Sequence, residues 1–338
     1  MRLLHTADWH LNQTLNGWSR ADEHAVWLDR LADVIAEERI DALLVAGDVF
    51  DGVNPSGDAL AMFYGALRRF KASRPGLVTV VTSGNHDPAA RLEAPNAILA
   101  ALDVHVVARV RRGADGGVDT AAHMIPLPGE DGAPAAWVCA IPFLRAADLP
   151  GLSFGDAEGA EAPQVAAARR FHAEIGAAAA DIAGDRPVIA MGHLHCTGGT
   201  VSEGAERRIL IGGEHAVGAD VFPPVFAYVA LGHLHRPQSL AGGRVRYAGS
   251  PFPLSAAEIG YDHGVTILDL DPATGAIAAT HRPIPAPAPV LRLPRRGAMA
   301  AAGLPAALAG IAPDSAVPSG LRPLVDRKST RLNSSHYS

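Results

Sequence analysis

Residues 42–51 read Ala42-Leu43-Leu44-Val45-Ala46-Gly47-Asp48-Val49-Phe50-Asp51, and they decide how the chain is parsed. Five apolar residues in unbroken succession fit a strand covered on both faces, because a strand with one wet face alternates apolar and polar side chains. Gly47 ends the run and a carboxylate follows at once. Towards the N-terminus, Glu23–Arg39 carries Trp27, Leu31, Val34 and Ile35 at helical spacing, and Arg2–Ala7 is a short apolar strand ending at Asp8. Towards the C-terminus, Ser56 is placed to cap a helix bearing Leu60, Phe63, Tyr64, Leu67 and Phe70. Leu77–Thr82 is a third strand, closed by Gly84. Strand–helix–strand units of this kind predict a layered α/β domain.

The middle of the chain is less regular. Gly113–Gly117 and Gly129–Pro134 read as turns, Trp137–Ile141 as a strand and Ala157–Ile182 as mostly helix. Two similar segments follow, Pro187-Val188-Ile189-Ala190-Met191-Gly192-His193 and Phe226-Ala227-Tyr228-Val229-Ala230-Leu231-Gly232-His233. Each is a buried-type strand ending at Gly-His-Leu-His. Val245–Ala248 and Val265–Asp269 read as closing strands. From about Pro283 the pattern decays into an alternating proline linker (Pro283, Pro285, Pro287, Pro289), extended and stiff. Asp326–Ser338 contains no Ala, Gly or Pro, although these abound elsewhere, and is expected to be a non-native tail. The expected organisation is 1–282 as the functional domain, 283–325 as linker and truncated capping region, and 326–338 as tail.

Composition narrows the class. The 338 residues are 48% hydrophobic and 19% charged, as expected of a soluble globular protein. No apolar run reaches about eighteen residues, so no membrane span is predicted, and no signal peptide is recognised. Two cysteines, Cys139 and Cys196, make no CxxC or disulfide framework, which fits a reducing, cytoplasmic setting. A net charge of −6 speaks against a general nucleic-acid coat but not against a nuclease, whose local charge decides binding.

Four kinds of segment place Asp, His and Asn directly after strands: Asp8-Trp9-His10, Gly47-Asp48-Val49-Phe50-Asp51, Gly84-Asn85-His86-Asp87, and the two Gly-His-Leu-His ends. Parallel strands deliver their C-terminal ends to one edge of a layer, where ligands bind. Alternate residues of an extended segment point the same way, so Asp8 and His10 are expected to grip one ion together. Carboxylate, imidazole and amide ligands without thiolate suit Mn, Fe or Zn. Seven such groups exceed the needs of one ion and match two ions bridged by a carboxylate.

The order D-x-H, G-D-x-x-D, G-N-H-D, G-H, G-H-x-H resembles that of the calcineurin-like metallophosphoesterases. Further stretches, Leu4–Leu11, Val45–Asp51, Ala140-Ile141-Pro142-Phe143-Leu144-Arg145 and Tyr247-Ala248-Gly249-Ser250-Pro251, resemble the SbcD family of Mre-type repair nucleases over about residues 1–285. The resemblance implies a four-layer α-β-β-α sandwich followed by the start of a C-terminal capping region. It implies Asp8, His10 and His235 on one metal, Asn85, His193 and His233 on the other, and Asp48 bridging them, with Mn2+ the usual ion. His86 would be the catalytic histidine that protonates the leaving oxygen or stabilises developing charge. The implied activity is 3′–5′ exonuclease on duplex DNA and single-strand endonuclease, in repair and recombination. The implied partners are DNA and an SbcC-like ATPase, with a homodimer inside a heterotetramer.

Several residues stay open at this stage. Asp51, taken with His86 as catalytic, either orients His86 or a metal-bound water or caps the next turn. Asp87 is expected to hold a neighbouring loop or histidine rather than to bind metal. His195 is read as a polar loop residue, with a substrate-facing role as the alternative. His5 is read as packing, and His215 as part of a solvated loop, with an approach to DNA as the alternative. Two other functions compete with a DNA nuclease: a general phosphodiesterase or phosphomonoesterase using the same metals, and a metal-free scaffold. The complete ligand set argues against the scaffold.

Overall fold

The computed structural model describes residues 1–149, 162–201, 216–311 and 316–327. In chain order, β1 (Arg2–Thr6), the small hairpin β2 (Thr14–Leu15) and β3 (Trp18–Ser19), and α1 (Ala21–Glu37) lead into β4 (Ala42–Ala46). Then come α2 (Gly57–Ser73), β5 (Val78–Thr82), the short helices α3 (Ala89–Glu93) and α4 (Asn96–Leu99), and β6 (Val104–Val107). The hairpin β7 (Met124–Pro128) and β8 (Pro134–Ala140) precedes α5 (Pro163–Ala183), β9 (Val188–His193) and β10 (Phe226–Gly232). The remainder is β11 (Gln238–Leu240), β12 (Val245–Tyr247), β13 (Gly264–Leu270), β14 (Ile277–Pro283), β15 (Val290–Leu293), α6 (Leu304–Ala309) and β16 (Leu324–Arg327).

Two six-stranded sheets result, in the orders β14-β13-β1-β4-β5-β6 and β11-β12-β10-β9-β8-β7. The central strands of each run parallel, β1, β4, β5 and β6 in one sheet and β8, β9, β10 and β12 in the other. Side-chain alternation sorts these strands between separate cores. In β4, Leu43 and Val45 pack with Trp27, Leu31, Phe63 and Phe70 of α1 and α2, while Ala42, Leu44 and Ala46 face the second sheet. In β9, Val188 and Ala190 pack with Phe171 and Ile175 of α5, while Ile189 and Met191 face the first sheet. Three apolar interfaces between four layers are the α-β-β-α sandwich expected. The layer between the sheets is rich in small residues (Ala7, Ala42, Ala46, Ala136, Ala140, Ala230), which brings the two backbones close together. His5 fastens that layer. Its buried ring on β1 bonds Tyr228 Oη at 3.1 Å and the Leu231 carbonyl at 3.2 Å, both on β10, a structural use that agrees with a packing role.

The α1 and α2 spans fall where the spacing placed them, and Ser56 caps α2 by accepting from the Ala59 N–H at 3.1 Å. Two features depart from the sequence expectation. Ile277–Pro283 is a full edge strand paired with β13, in a stretch where the sequence pattern indicated no strand. The proline stretch is also not a free spacer: Ile284, Ala288 and Val290 are buried, and the Pro285 carbonyl accepts from Arg30. Tight packing against α1 and β13 outweighs the missing donors of its prolines. Beyond it, β15 pairs in parallel with β16, and Arg292 bonds Asp326 at 3.0 Å. The first two residues of the expected tail therefore belong to a strand, and the rest of it lies outside the described residues, as does His215.

Candidate metal centre

The C-terminal ends of β1, β4 and β5 in one sheet, and of β9 and β10 in the other, meet along a single seam. Asp8 and His10 follow β1, Asp48 follows β4, Asn85 and His86 follow β5, and His193 ends β9. His233 and His235 follow β10. The seam is laced by bonds between sheets. The Asp8 carboxylate accepts the His233 backbone N–H at 2.9 and 3.2 Å, and His193 donates through Nδ1 to the Ala46 carbonyl at 2.9 Å. The Phe143 N–H donates to the Ser83 carbonyl at 2.8 Å.

Backbone strain marks these turns. Asp8, His10, Asp48 and His233 all have positive φ, at 54°, 46°, 50° and 98°. Such left-handed conformations cost L residues roughly 1–2 kcal/mol each and persist only where the surroundings enforce them. Asp8 and His10 thus face the same way for a reason other than strand alternation, because β1 has already ended at Thr6. Between them Trp9 turns into the core among Trp27, Phe63 and Phe70, at ring separations of 6.0–6.4 Å, leaving Asp8 and His10 on the seam. Gly47 is left-handed too, at φ 83°, and a Cβ on Gly84 would lie 2.0 Å from Asp48 Oδ1. Only glycine allows these two loops to approach.

Ligand-type atoms cluster densely. Asp8, His10 and His235 form one triplet within 4.8 Å, and His10, Asp48 and His86, and Asp8, Asp48 and His193, form two others. Asp48 Oδ2 lies 3.6 Å from His10 Nε2 and 3.4 Å from His193 Nε2, so it sits between them, while its Oδ1 accepts the His86 N–H at 2.9 Å. Asn85 Oδ1 is 3.1 Å from His193 Nε2. His233 joins none of the triplets and lies beside His193, with ring centroids 5.4 Å apart.

Four imidazoles have their Nδ1 held from behind: His10 by Asp51 Oδ1 (3.1 Å), His86 by the Asp51 carbonyl (2.9 Å), His193 by the Ala46 carbonyl, and His235 by Glu258 Oε1 (3.0 Å). A carbonyl or carboxylate accepts, so Nδ1 carries a proton and Nε2 is the ring nitrogen left to face the seam. His10 Nε2 is buried with no hydrogen-bond partner. Buried polar atoms are rarely left unpaired, and a cation is the partner this donor set fits. Electrostatics agree. Burial works against charge on His193, yet Asp48 and Asp8 push its pKa up to about 9, so in the metal-free chain a proton sits where a cation would. Burial likewise opposes charge on Asp48, but His193, His10 and His86 hold its carboxyl far below the usual range. Burial and repulsion between carboxylates raise Asp8.

Asp51 therefore acts on both histidines, by its side chain on His10 and by its backbone on His86. Asp87 accepts from the Gly84, Val49 and Phe50 N–H groups at 2.8–3.2 Å and ties the two ligand loops together. Burial first, then Asp48, pushes it up to about 6. His195 is half-buried, 6.4 Å from the His233 ring, and outside the triplets. Sequence reasoning missed Glu258. It is fully buried and bonds His235, Ser250, Ser255 and the Leu254 N–H. Its only sequence signal is Ser255-Ala256-Ala257-Glu258, the spacing of a capping box at a helix start.

A family model described as calcineurin-like phosphoesterase matches residues 1–237. The SbcD subunit of the SbcCD nuclease in Rhodobacter capsulatus is 60% identical over 311 residues, which cover 92% of this chain and 75% of that protein. Its namesake in Escherichia coli K12 is 40% identical over 79% of this chain and 65% of its own length. That of Bacillus subtilis is 36% identical over 82% and 68%. The chain thus spans about two thirds to three quarters of the length of these relatives. It belongs to the calcineurin-like phosphoesterase family, and within it to the SbcD nuclease family.

Proposed function

We propose that the chain is a dinuclear, metal-dependent DNA nuclease, acting 3′–5′ on duplex ends and endonucleolytically on single strands. The observation that carries the reading is the convergence of Asp8, His10, Asp48, His193 and His235 on one seam, with His10 Nε2 buried and unpartnered. Asp8, His10 and His235 hold one cation, Asn85, His193 and His233 the other, and Asp48 serves both; the preferred ion is Mn2+. A bound cation pair supplies charge neutralisation for a phosphodiester and acidifies water.

The chain's own residues do the rest. With Nδ1–H anchored on the Asp51 carbonyl, protonated His86 presents Nε2–H to the departing 3′ oxygen. Asp51 and Glu258 keep His10 and His235 in the tautomer that a cation requires. The relatives' names, which make them the D subunit of an SbcCD nuclease, support a nuclease that works with an SbcC-type subunit; DNA as substrate, an SbcC-like ATPase as partner and a heterotetramer built on a homodimer of this chain complete the proposal. The test is cleavage of linear duplex and single-stranded DNA beside a small phosphodiester, in Mn2+, Mg2+ or EDTA. DNA cleavage in Mn2+ that EDTA abolishes is expected; hydrolysis of the small diester alone would turn the reading towards a general phosphodiesterase.

A further inference from the structure

The two sides of the centre are braced differently. Behind His235 stands Glu258, fully buried and fixed independently by the Leu254 N–H (3.0 Å) and the Ser250 and Ser255 hydroxyls (3.2 Å each). Behind His10 stands the Asp51 carboxylate at 3.1 Å. His193, by contrast, is backed by a neutral carbonyl, that of Ala46, and its neighbour Asn85 is a neutral amide. Asp48 lies between both sides, and Asp8 also comes within reach of His193. Glu258 and Asp51 stand behind one side only.

A carboxylate behind a ligating imidazole locks its orientation and makes it more basic, and a full charge acts more strongly in a buried setting than a carbonyl dipole. We propose that the Asp8–His10–His235 side binds its divalent cation first and more tightly, and that Glu258 is the positioning residue that sets this order. The inference rests on the metal reading above and adds an order of loading to it.

The experiment is calorimetric titration of the metal-free full chain with MnCl2, for the unsubstituted protein and for Glu258→Gln, Asp51→Asn and Asn85→Ala. Two unequal steps are expected. Glu258→Gln, which keeps shape and removes charge, should weaken the tight step by about 10–100-fold and leave the weak step within about twofold. Asp51→Asn, whose backbone carbonyl still holds His86, should weaken the same step by a smaller factor. Asn85→Ala should remove the weak step alone. The proposal is overturned if Glu258→Gln spares the tight step, if Asn85→Ala removes it, or if Glu258→Gln lowers both steps together with the melting temperature. Absence of any manganese uptake by the unsubstituted chain would sink the metal reading itself along with it.

Discussion

His86 shows how closely one residue's role is bound to its backbone contacts. Its ring packs edge-on to His10 at 4.8 Å, and its own N–H orients the Asp48 carboxylate. Replacing the ring by alanine removes a proton donor and keeps that N–H. His86→Ala is therefore expected to retain bound manganese, measured by elemental analysis, while DNA cleavage falls by about 10²–10⁴-fold; loss of the metal would contradict the role assigned. Gly232 is decided by space. A Cβ there would lie 2.0 Å from the Ala46 carbonyl and 2.8 Å from His193 Nδ1, so Gly232→Ala must push the sheets apart at the seam. A loss on the order of 3 kcal/mol is expected in denaturant unfolding, with weaker manganese uptake alongside.

Elements were legible wherever one physical signal dominated. Continuous apolar runs closed by glycine marked β4, β9 and β10, because a strand covered on both faces has no polar alternative. Helical spacing marked α1 and α2. Ser56→Ala removes the side-chain acceptor at the start of α2 and is expected to cost about 1 kcal/mol, a drop of about 2 °C in melting temperature, with cleavage unchanged. The signal failed at β14, whose Ile277-Ala278-Ala279-Thr280-His281-Arg282-Pro283 is an edge strand carrying alanine and ending in proline. Pairing with β13 makes it a strand, and a partner in space leaves no mark in local sequence. Asp8 and His10 come together, but not by strand alternation: left-handed turns, with Trp9 packed into the core between them, place them side by side.

At the scale of the whole molecule, buried histidines couple folding to pH. Burial pushes His5 down to about 3 and His24 and His172 to about 4, so all three stay neutral in the fold. A histidine with a depressed folded pKa contributes its full stability above the ordinary value near 6.5. As pH falls below that, the unfolded chain takes up protons that the fold refuses, and the contribution is gone once pH passes about 4 for His24 and His172 and about 3 for His5. Near pH 5 the three together give a slope of about 4 kcal/mol per pH unit. Urea unfolding at about pH 5.5 and about pH 4.5 measures the slope, and His172→Phe is expected to lower it by one histidine's share, about 1 kcal/mol per pH unit. His193 has the opposite sign in the metal-free chain. Raised from 6.5 to about 9, it stabilises fully below 6.5 and loses its contribution as pH climbs through 9. Manganese that binds only the folded state reverses this, raising the melting temperature with concentration and releasing a proton near pH 7.

The sequence by itself determined the layered class, the central strands and the identity of the ligand-type residues, because hydropathy, glycine and side-chain chemistry are written locally. Tertiary structure decided what depends on two distant segments meeting. It placed His193 against Ala46 and His235 against Glu258, gave Asp51 to His10 by its side chain and to His86 by its carbonyl, and set the partners of His5. Those contacts join segments far apart in the chain, and those of His193 with Ala46 and of His5 with Tyr228 cross between the two sheets. A hydrogen bond of that kind is fixed by sheet packing and loop strain, neither of which a single stretch of chain encodes.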